Sequence, residues 1–162
     1  CERIQERITR LASGIAVIRV GAATEVEMME KKHRIDDALE AVRSAQEMGI
    51  VSGGGSALIH ITRGLDIQTD NDDQALGAKI VLEACEAPLR QMCLNAGESP
   101  DLVVDMVRTS KDGEAYDFMS RKIIDTNENG LLDPVKVTTC ALENAVSVAS
   151  TLITTNYAVV KN

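Results

Sequence analysis

The chain has 162 residues, of which 44% are hydrophobic and 26% charged, enough apolar side chains for one compact domain or one domain with an appendage. Its 17 Lys and Arg residues are outnumbered by 25 Asp and Glu, and the resulting net charge of −8 argues against nonspecific nucleic-acid binding. The apolar runs are too short to span a bilayer, so we expect no membrane segment. Aromatic side chains, which could stack on bases or sugars, are limited to Tyr116, Phe118 and Tyr157.

The cysteines form no CxxC pair and no cluster with a histidine, a pattern that does not predict a zinc site. We expect reduced thiols in a cytosol-like compartment. The chain starts without Met and without a charged-then-apolar leader, so we expect a processed chain or a piece of a longer one. The four cysteines are Cys1, Cys85, Cys93 and Cys140.

The first elements are predicted by local signals. A β-branched run bounded by glycines predicts a strand within 13–21. Thr24 followed by Glu27 fits a capping box, which starts a long helix over 25–48 with Gly49 as its C-cap.

A further helix is predicted after the glycines at 53–55, and a polar loop over 66–73 separates it from a helix that carries Leu76, Ile80, Val81 and Ala84. Pro88 lies at a bend or in the first turn of the next helix, and another helix is expected after Ser99-Pro100, where Ser is the expected N-cap. A last long helix is expected after Asp133-Pro134, and a strand at 157–160.

These elements predict a mostly helical fold with a few short strands. Apolar spacing of the helical period selects the residues that we expect to be buried. They are Ile35, Leu39, Val42, Leu58, Ile61, Ile80, Val103, Val107, Leu142, Val148 and Leu152.

Residues 125–130 match the first half of a calcium EF-hand loop, with oxygen-bearing side chains at positions 1, 3 and 5 and glycine at 6. Position 12, where a bidentate Glu should close the coordination sphere, is Lys136. A cation there repels the ion, so we interpret the segment as a polar turn.

Local sequence pattern allows two interpretations for each of three other features. The glycines at 53–55 form either a tight turn with close helix packing or a backbone approach to a ligand phosphate. Asp37 points roughly 150° away from the apolar face of its helix, as a solvated charge or as a carboxylate presented to another group. Asp133 fits the N-cap of the helix that starts at Pro134, and its carboxylate could also bind a ligand if only one oxygen caps the helix.

Several blocks, read in order, resemble group I chaperonins, the bacterial GroEL family. They cover nearly the whole chain without large insertions, which is more specific than any single motif. The blocks are Gly21-Ala22-Ala23-Thr24-Glu25-Val26-Glu27-Met28, Glu30-Lys31-Lys32, Asp37-Ala38-Leu39, Gly53-Gly54-Gly55, Glu86-Ala87-Pro88-Leu89-Arg90-Gln91, Asn95-Ala96-Gly97 and Leu132-Asp133-Pro134-Val135-Lys136-Val137-Thr138.

The resemblance implies that the chain is about the last third of a subunit. Residues 1–48 would be part of the α/β intermediate (hinge) domain. Residues 49–162 would be the C-terminal half of the equatorial nucleotide-binding domain, a helical bundle with a few short strands. The apical domain, the other equatorial half and the family's Gly-Asp-Gly-Thr-Thr-type phosphate loop do not occur in this sequence. We therefore expect the isolated chain to be inactive. Because the chain retains Asp37, Gly54 and Asp133, which match functional residues of the family, we expect the parent subunit to hydrolyse ATP.

The family's functional residues map onto this chain one by one. Asp37 matches the catalytic aspartate, which orients and activates the water that attacks the γ-phosphate and lies near Mg²⁺. Gly54, beside Gly53, matches a nucleotide-contacting glycine, and Asp133 matches the acid that binds the ribose hydroxyls. Asp117, Phe118 and Met119 match the segment on the adenine side, where bacterial members commonly have Asn-Ala-Ala, so Phe118 would add bulk beside the base.

The resemblance also implies ATP or ADP and Mg²⁺ as cofactors of the intact subunit, with no metal held by this chain alone. The implied partners are the other subunits of a homo-oligomeric ring, unfolded client proteins and a co-chaperonin lid. The implied location is a bacterial or viral-host cytoplasm, or an organelle matrix in a eukaryote. The alternative is a chaperonin-like assembly or scaffold module that does not hydrolyse ATP. In either case we expect exposed apolar surface where the missing equatorial half would pack.

Overall fold

A computed structural model describes residues 4, 7 and 16–160 of the chain. The chain divides into two compact units, Cys1–Glu40 and Ala41–Asn162. This division falls inside the first long helix, a few residues before the boundary at 48 that we expected from the resemblance. The assignment of the two parts to the intermediate and equatorial domains stays a prediction.

Helix α1 covers Glu25–Met48, as the sequence predicted. Its start is a capping box: the Glu27 amide donates to Thr24 Oγ1 over 3.2 Å, and the Ala23 amide donates to Glu27 Oε2 over 3.3 Å. Its end is Gly49, whose φ of +84° is the left-handed conformation of a C-cap and whose amide donates to the Ala45 carbonyl.

The predicted apolar face of α1 is mostly exposed, which corrects our expectation. Ile35 is half-buried, but Leu39 and Val42 are 43% and 55% exposed, and no described residue of α1 is buried. Helical periodicity identifies a face suited to burial, but burial also requires a partner surface, and the described residues supply none for this face.

The remainder of the described chain is mainly helical with short strands, which confirms the predicted fold class. None of its helices is both long enough and apolar enough to cross a membrane, judged over the described residues. In chain order the elements are β1 Ile50–Ser52, α2 Ser56–Thr62, α3 Asp72–Ala84, α4 Ala87–Ala96, α5 Pro100–Thr109, β2 Glu114–Asp117, β3 Lys122–Asp125, α6 Thr126–Asn129, β4 Leu132–Pro134 and α7 Val135–Ile153.

Among the described residues, the strands form two antiparallel pairs, each of two strands. β1 pairs with β4, with Val51 opposite Asp133, and β2 pairs with β3, with Tyr116 opposite Ile123. Residues 16–20 and 157–160 are irregular, so the strands predicted there are wrong, while 13–15 lie outside the described residues. A β-branched run becomes a strand only where another strand takes up its backbone hydrogen bonds.

The core lies where α2, α4, α5 and β2 meet. Val103 and Val107 are buried there, as predicted, whereas Leu58 and Leu142, which we also expected to be buried, are half-buried. The cluster consists of Ile59, Leu89, Cys93, Val103, Val104, Val107 and Tyr116.

Four other residues predicted to be buried are exposed, and this part of the expectation is wrong. Ile61 is on α2, Ile80 is on α3, and Val148 and Leu152 are on α7. Helices α3 and α7 have no buried residue, so apolar faces that could close a second core lie open.

Candidate functional site

The glycines at 53–55 form a turn that leads from β1 into α2. Gly54 and Gly55 have φ values of +65° and +74°, which favour glycine over any residue with a side chain. The hydroxyl of Ser56, the first residue of α2, is fully buried and donates to the Gly53 carbonyl over 2.8 Å. This bond closes the turn at its helical end.

Gly53 and Gly55 are required by close packing. The Gly53 amide donates to the Leu131 carbonyl over 2.8 Å, and a Cβ on Gly53 would lie 2.9 Å from that oxygen. A Cβ on Gly55 would lie 2.9 Å from Met92 Cε and 3.1 Å from the Leu89 nitrogen. The packing interpretation of the glycine run therefore holds at these two positions.

Gly54 differs from its neighbours because its surroundings are open. The nearest atom to a Cβ on Gly54 would be Leu131 Cδ2 at 3.5 Å, an ordinary contact distance, followed by the Tyr116 carbonyl oxygen at 3.8 Å. The left-handed backbone, not crowding, selects glycine here. The short distance to the Tyr116 carbonyl oxygen also shows that the end of β2 lies beside the glycine turn.

Asp133 lies in β4 and is not the N-cap that local pattern suggested. Helix α7 begins at Val135, its N-cap is Pro134, and no side chain caps it. Burial raises the pKa of the Asp133 carboxyl above its usual range, and the neighbouring Gly54 backbone amide partly offsets this rise. A single nearby amide uses at most a fraction of the acceptor capacity of a carboxylate, so Asp133 can accept from a ligand as well.

The three residues of the predicted adenine segment lie at the β2–β3 hairpin and face different ways. Asp117 accepts the Met119 and Ser120 amides over 3.0 Å each, and bonds to Ser120 and Met119 lower the pKa of its carboxyl. The Phe118 ring packs edge-on against Tyr116, with centroids 5.1 Å apart, and against the core. Met119 is 94% exposed. The Asp117 carboxylate thus stabilises its own loop, and Met119 is the member that is open to solvent.

The fold thus brings together Gly53, Gly54, Asp133 and the end of β2. Asp37 lies on α1 in the first unit, with its side chain exposed. Sequence reasoning missed Leu131, whose carbonyl fixes Gly53, because no local pattern marks a backbone acceptor.

The segment that resembles an EF-hand is a capped turn. Asp125 Oδ1 accepts the Asn127 amide over 2.8 Å and the Glu128 amide over 3.0 Å, and so caps α6. Oδ1 of Asp125 is therefore committed to the backbone of its own turn. Within the described ranges, no three acidic, His or Cys side chains are grouped for metal binding.

Comparison with known proteins identifies the family of the chain. The chain matches the TCP-1/cpn60 chaperonin family over residues 4–162. Its fold is similar to the crystal structure of a group III chaperonin in the open state, with a TM-score of 0.73 and 26% sequence identity over 91% of this chain and 32% of that one. The chain thus spans about a third of the length of that chaperonin, and it belongs to the TCP-1/cpn60 chaperonin family.

Proposed function

We propose that this chain is part of a group I chaperonin subunit that binds and hydrolyses ATP to drive protein folding, and that it supplies the ribose side of the nucleotide pocket. The observation that carries the proposal is the half-buried Asp133 carboxylate beside the backbone of Gly54, where the glycine turn leaves room for a ligand. The assignment to group I rests on the sequence blocks that resemble that group.

A carboxylate beside a glycine backbone suits a polyhydroxylated ligand. A carboxylate with unused acceptor capacity binds vicinal hydroxyls, and a glycine without Cβ lets the ligand approach the backbone. Asp133 is also half-buried, and its raised pKa means that its ionised form costs folding free energy. Ligand-binding sites commonly retain such costly groups.

Asp37 is the proposed catalytic residue of the intact subunit. Its exposed position on α1 leaves the carboxylate accessible to an attacking water or to Mg²⁺. Magnesium would neutralise phosphate charge, and the phosphate loop that holds it would come from the remainder of the subunit. Asp117, Phe118 and Met119 remain the proposed adenine side, with the exposed Met119 best placed to touch a base.

Assembly with the rest of a subunit is supported by an open apolar groove of about 370 Å³ between α2, α3 and α7. Its wall includes Ile61 and Leu65, which are 62% and 49% exposed. We propose that the remainder of the chaperonin subunit covers this face. The homo-oligomeric ring, the unfolded clients, the lid and a cytoplasmic or organelle-matrix location belong to the same proposal.

The test uses the full-length subunit that contains this chain. We expect Asp37→Ala to leave ATP binding nearly unchanged and to slow hydrolysis by roughly two orders of magnitude, because the residue acts mainly on the transition state. Asp36→Ala is the matched control, one residue away and about 100° round the helix, and its effect should be small.

Asp133→Ala completes the set and should weaken ATP binding. If Asp37→Ala hydrolysed ATP at nearly the parent rate, or if Asp36→Ala were more damaging, the catalytic assignment would be wrong. A parent subunit that assembles into rings but never hydrolyses ATP would favour the alternative, a non-catalytic assembly or scaffold module.

A further inference from the structure

A ring of hydrogen bonds runs from the glycine turn, through α6 and the α5–β2 turn, to α2. It borders a cleft of about 420 Å³ whose wall includes Ser52, His60, Gly113 and Thr126. Thr126 is a buried polar residue of the core region, only 1% exposed, and it lies at the centre of this ring.

Thr126 makes bonds in two directions. Its amide and its hydroxyl both donate to the Gly113 carbonyl, each over 2.8 Å. Its own carbonyl accepts the Leu131 amide over 2.9 Å, and the Leu131 carbonyl accepts the Gly53 amide over 2.8 Å. The Thr126 hydroxyl oxygen also lies 3.4 Å from Ser52 Oγ, directly before the glycine turn.

The ring closes through α2. Arg63 donates to the Ser110 carbonyl over 2.7 Å and to the Asp112 carboxylate over 2.9 Å, next to Gly113. His60 Nε2 lies 3.2 Å from the Val107 carbonyl oxygen. Because α2 follows the glycine turn directly, the turn is held on both sides by one connected set of bonds.

We propose that Thr126 is a positioning residue: its hydroxyl, bonded to the Gly113 carbonyl and lying against Ser52, holds the start of α6 in place, and with it the Leu131 carbonyl that fixes the glycine turn beside Asp133. Its relevance to nucleotide binding rests on the proposed function, but the positioning itself does not. A buried hydroxyl with partners on two segments holds those segments in a fixed relative position. When the hydroxyl is lost, the segment with fewer other bonds opens locally more often.

The experiment measures amide hydrogen exchange, residue by residue, in the 162-residue chain without nucleotide. Thr126→Val keeps the shape and removes the hydroxyl, and it should speed exchange at Gly53 and Gly54 about tenfold, as expected for one lost buried hydrogen bond. Exchange at core amides such as Val103 should change less than about twofold.

Two variants separate positioning from general damage. Thr126→Ser retains the hydroxyl and should restore slow exchange at the glycines, and Thr109→Val, which removes an exposed hydroxyl bonded to the Asp105 carbonyl of its own helix, should leave them unchanged. Should Thr126→Val fail to fold, Ser52→Ala removes one of the two contacts of the Thr126 hydroxyl and should give a smaller rise at Gly53. Unchanged glycine exchange, a uniform rise across the core, or no rescue by Ser would overturn the proposal.

ATP affinity of the full-length subunit with the same substitutions provides the second measurement. Weaker binding with Thr126→Val and normal binding with Thr126→Ser would support the positioning role at the nucleotide site. Faster glycine exchange together with unchanged ATP affinity would leave the positioning role standing and overturn the proposed nucleotide site instead.

Discussion

The Gly53 amide donates to the Leu131 carbonyl over 2.8 Å, and that oxygen is also the atom that a side chain on Gly53 would strike first, at 2.9 Å. The Leu131 carbonyl oxygen therefore both accepts the Gly53 hydrogen bond and excludes a side chain at position 53. The turn that contains Gly54 is fixed against the segment leading into β4, and the position of Asp133 relative to the turn follows from it.

This relationship predicts the effect of adding one methyl group. Gly53→Ala should destabilise the fold by about 1–3 kcal/mol, since the obstructing atom is backbone and cannot rotate away. Gly97→Ala is the control. Gly97 has a φ of +72°, and no atom lies within 4 Å of the position that an added Cβ would take. This variant therefore tests backbone conformation alone and should lose about 1 kcal/mol of stability. Urea denaturation gives both values. A cost at Gly97 equal to or above that at Gly53 would contradict the steric argument.

At Asp133 we expect folding stability and nucleotide binding to change in opposite directions. Burial raises its pKa in the folded state, so the folded state binds a proton more readily than the unfolded chain, and stability falls as pH rises from about 3.8 through the folded pKa. Asp133→Asn keeps an acceptor for the Gly54 amide and removes the charge. We expect this variant to match or exceed the parent in stability at pH 7 and to lose that part of the pH dependence.

The same substitution should weaken nucleotide binding by the full-length subunit, because a neutral amide accepts from ribose hydroxyls less strongly than a carboxylate. Denaturation at several pH values and a nucleotide titration measure the two effects. Lower stability of Asp133→Asn at pH 7 would show that ionised Asp133 stabilises the fold, contrary to the argument from burial.

Local signals predicted the helices well and the strands poorly. The capping box at Thr24 and the left-handed Gly49 set the ends of α1 from neighbouring residues alone. The β1–β4 pairing places Val51 opposite Asp133, a contact between distant segments that no short pattern encodes. The position of Asp133 beside the glycine turn depends on it, so the resemblance named the candidate residues but could not give their geometry.

Burial predictions failed for a related reason. Ile61 and Ile80 have the spacing of core residues and are exposed, because periodicity indicates which face of a helix is apolar and not whether a partner is present. Asp133 was mispredicted for a different reason: local pattern made it an N-cap, but it lies in β4 and the helix that follows is not capped by a side chain.

His60 predicts a second pH dependence, of opposite sign to that of Asp133. Burial lowers the pKa of its imidazole, and Arg63 lowers it further, while the Val107 carbonyl and the carboxylates of Asp112 and Glu114 partly offset this. The unfolded chain therefore binds the proton more readily. Stability is fully present above about pH 6.5 and should be lost as pH falls from there towards the folded pKa.

His60→Gln isolates this contribution, since Gln has an N–H donor for the Val107 carbonyl and does not titrate. Denaturant midpoints at pH 7.5 and 5.5 should differ less for this variant than for the parent. His33→Gln, at an exposed position on α1, is the matched control and should keep the parent's difference. A steeper pH dependence in His60→Gln would refute the assignment.

The open groove between α2, α3 and α7 predicts self-association of the 162-residue chain on its own. Contiguous exposed apolar surface favours association in water, so sedimentation equilibrium should show dimers or larger species that dissociate on dilution. Ile61→Gln places a polar group in the groove wall and should shift the equilibrium towards monomer. Because Ile61 is 62% exposed, unfolding free energy should change by no more than about 0.5 kcal/mol.

Leu89→Ala separates the groove from the core. Leu89 is fully buried in the cluster beside Cys93, so truncation should cost about 2–5 kcal/mol through lost burial and a residual cavity. It leaves the groove wall intact, so any folded Leu89→Ala protein should associate as the parent does. If Ile61→Gln left association unchanged while Leu89→Ala weakened it, association would arise from partial unfolding, and the groove would not be the surface through which this chain meets its partner.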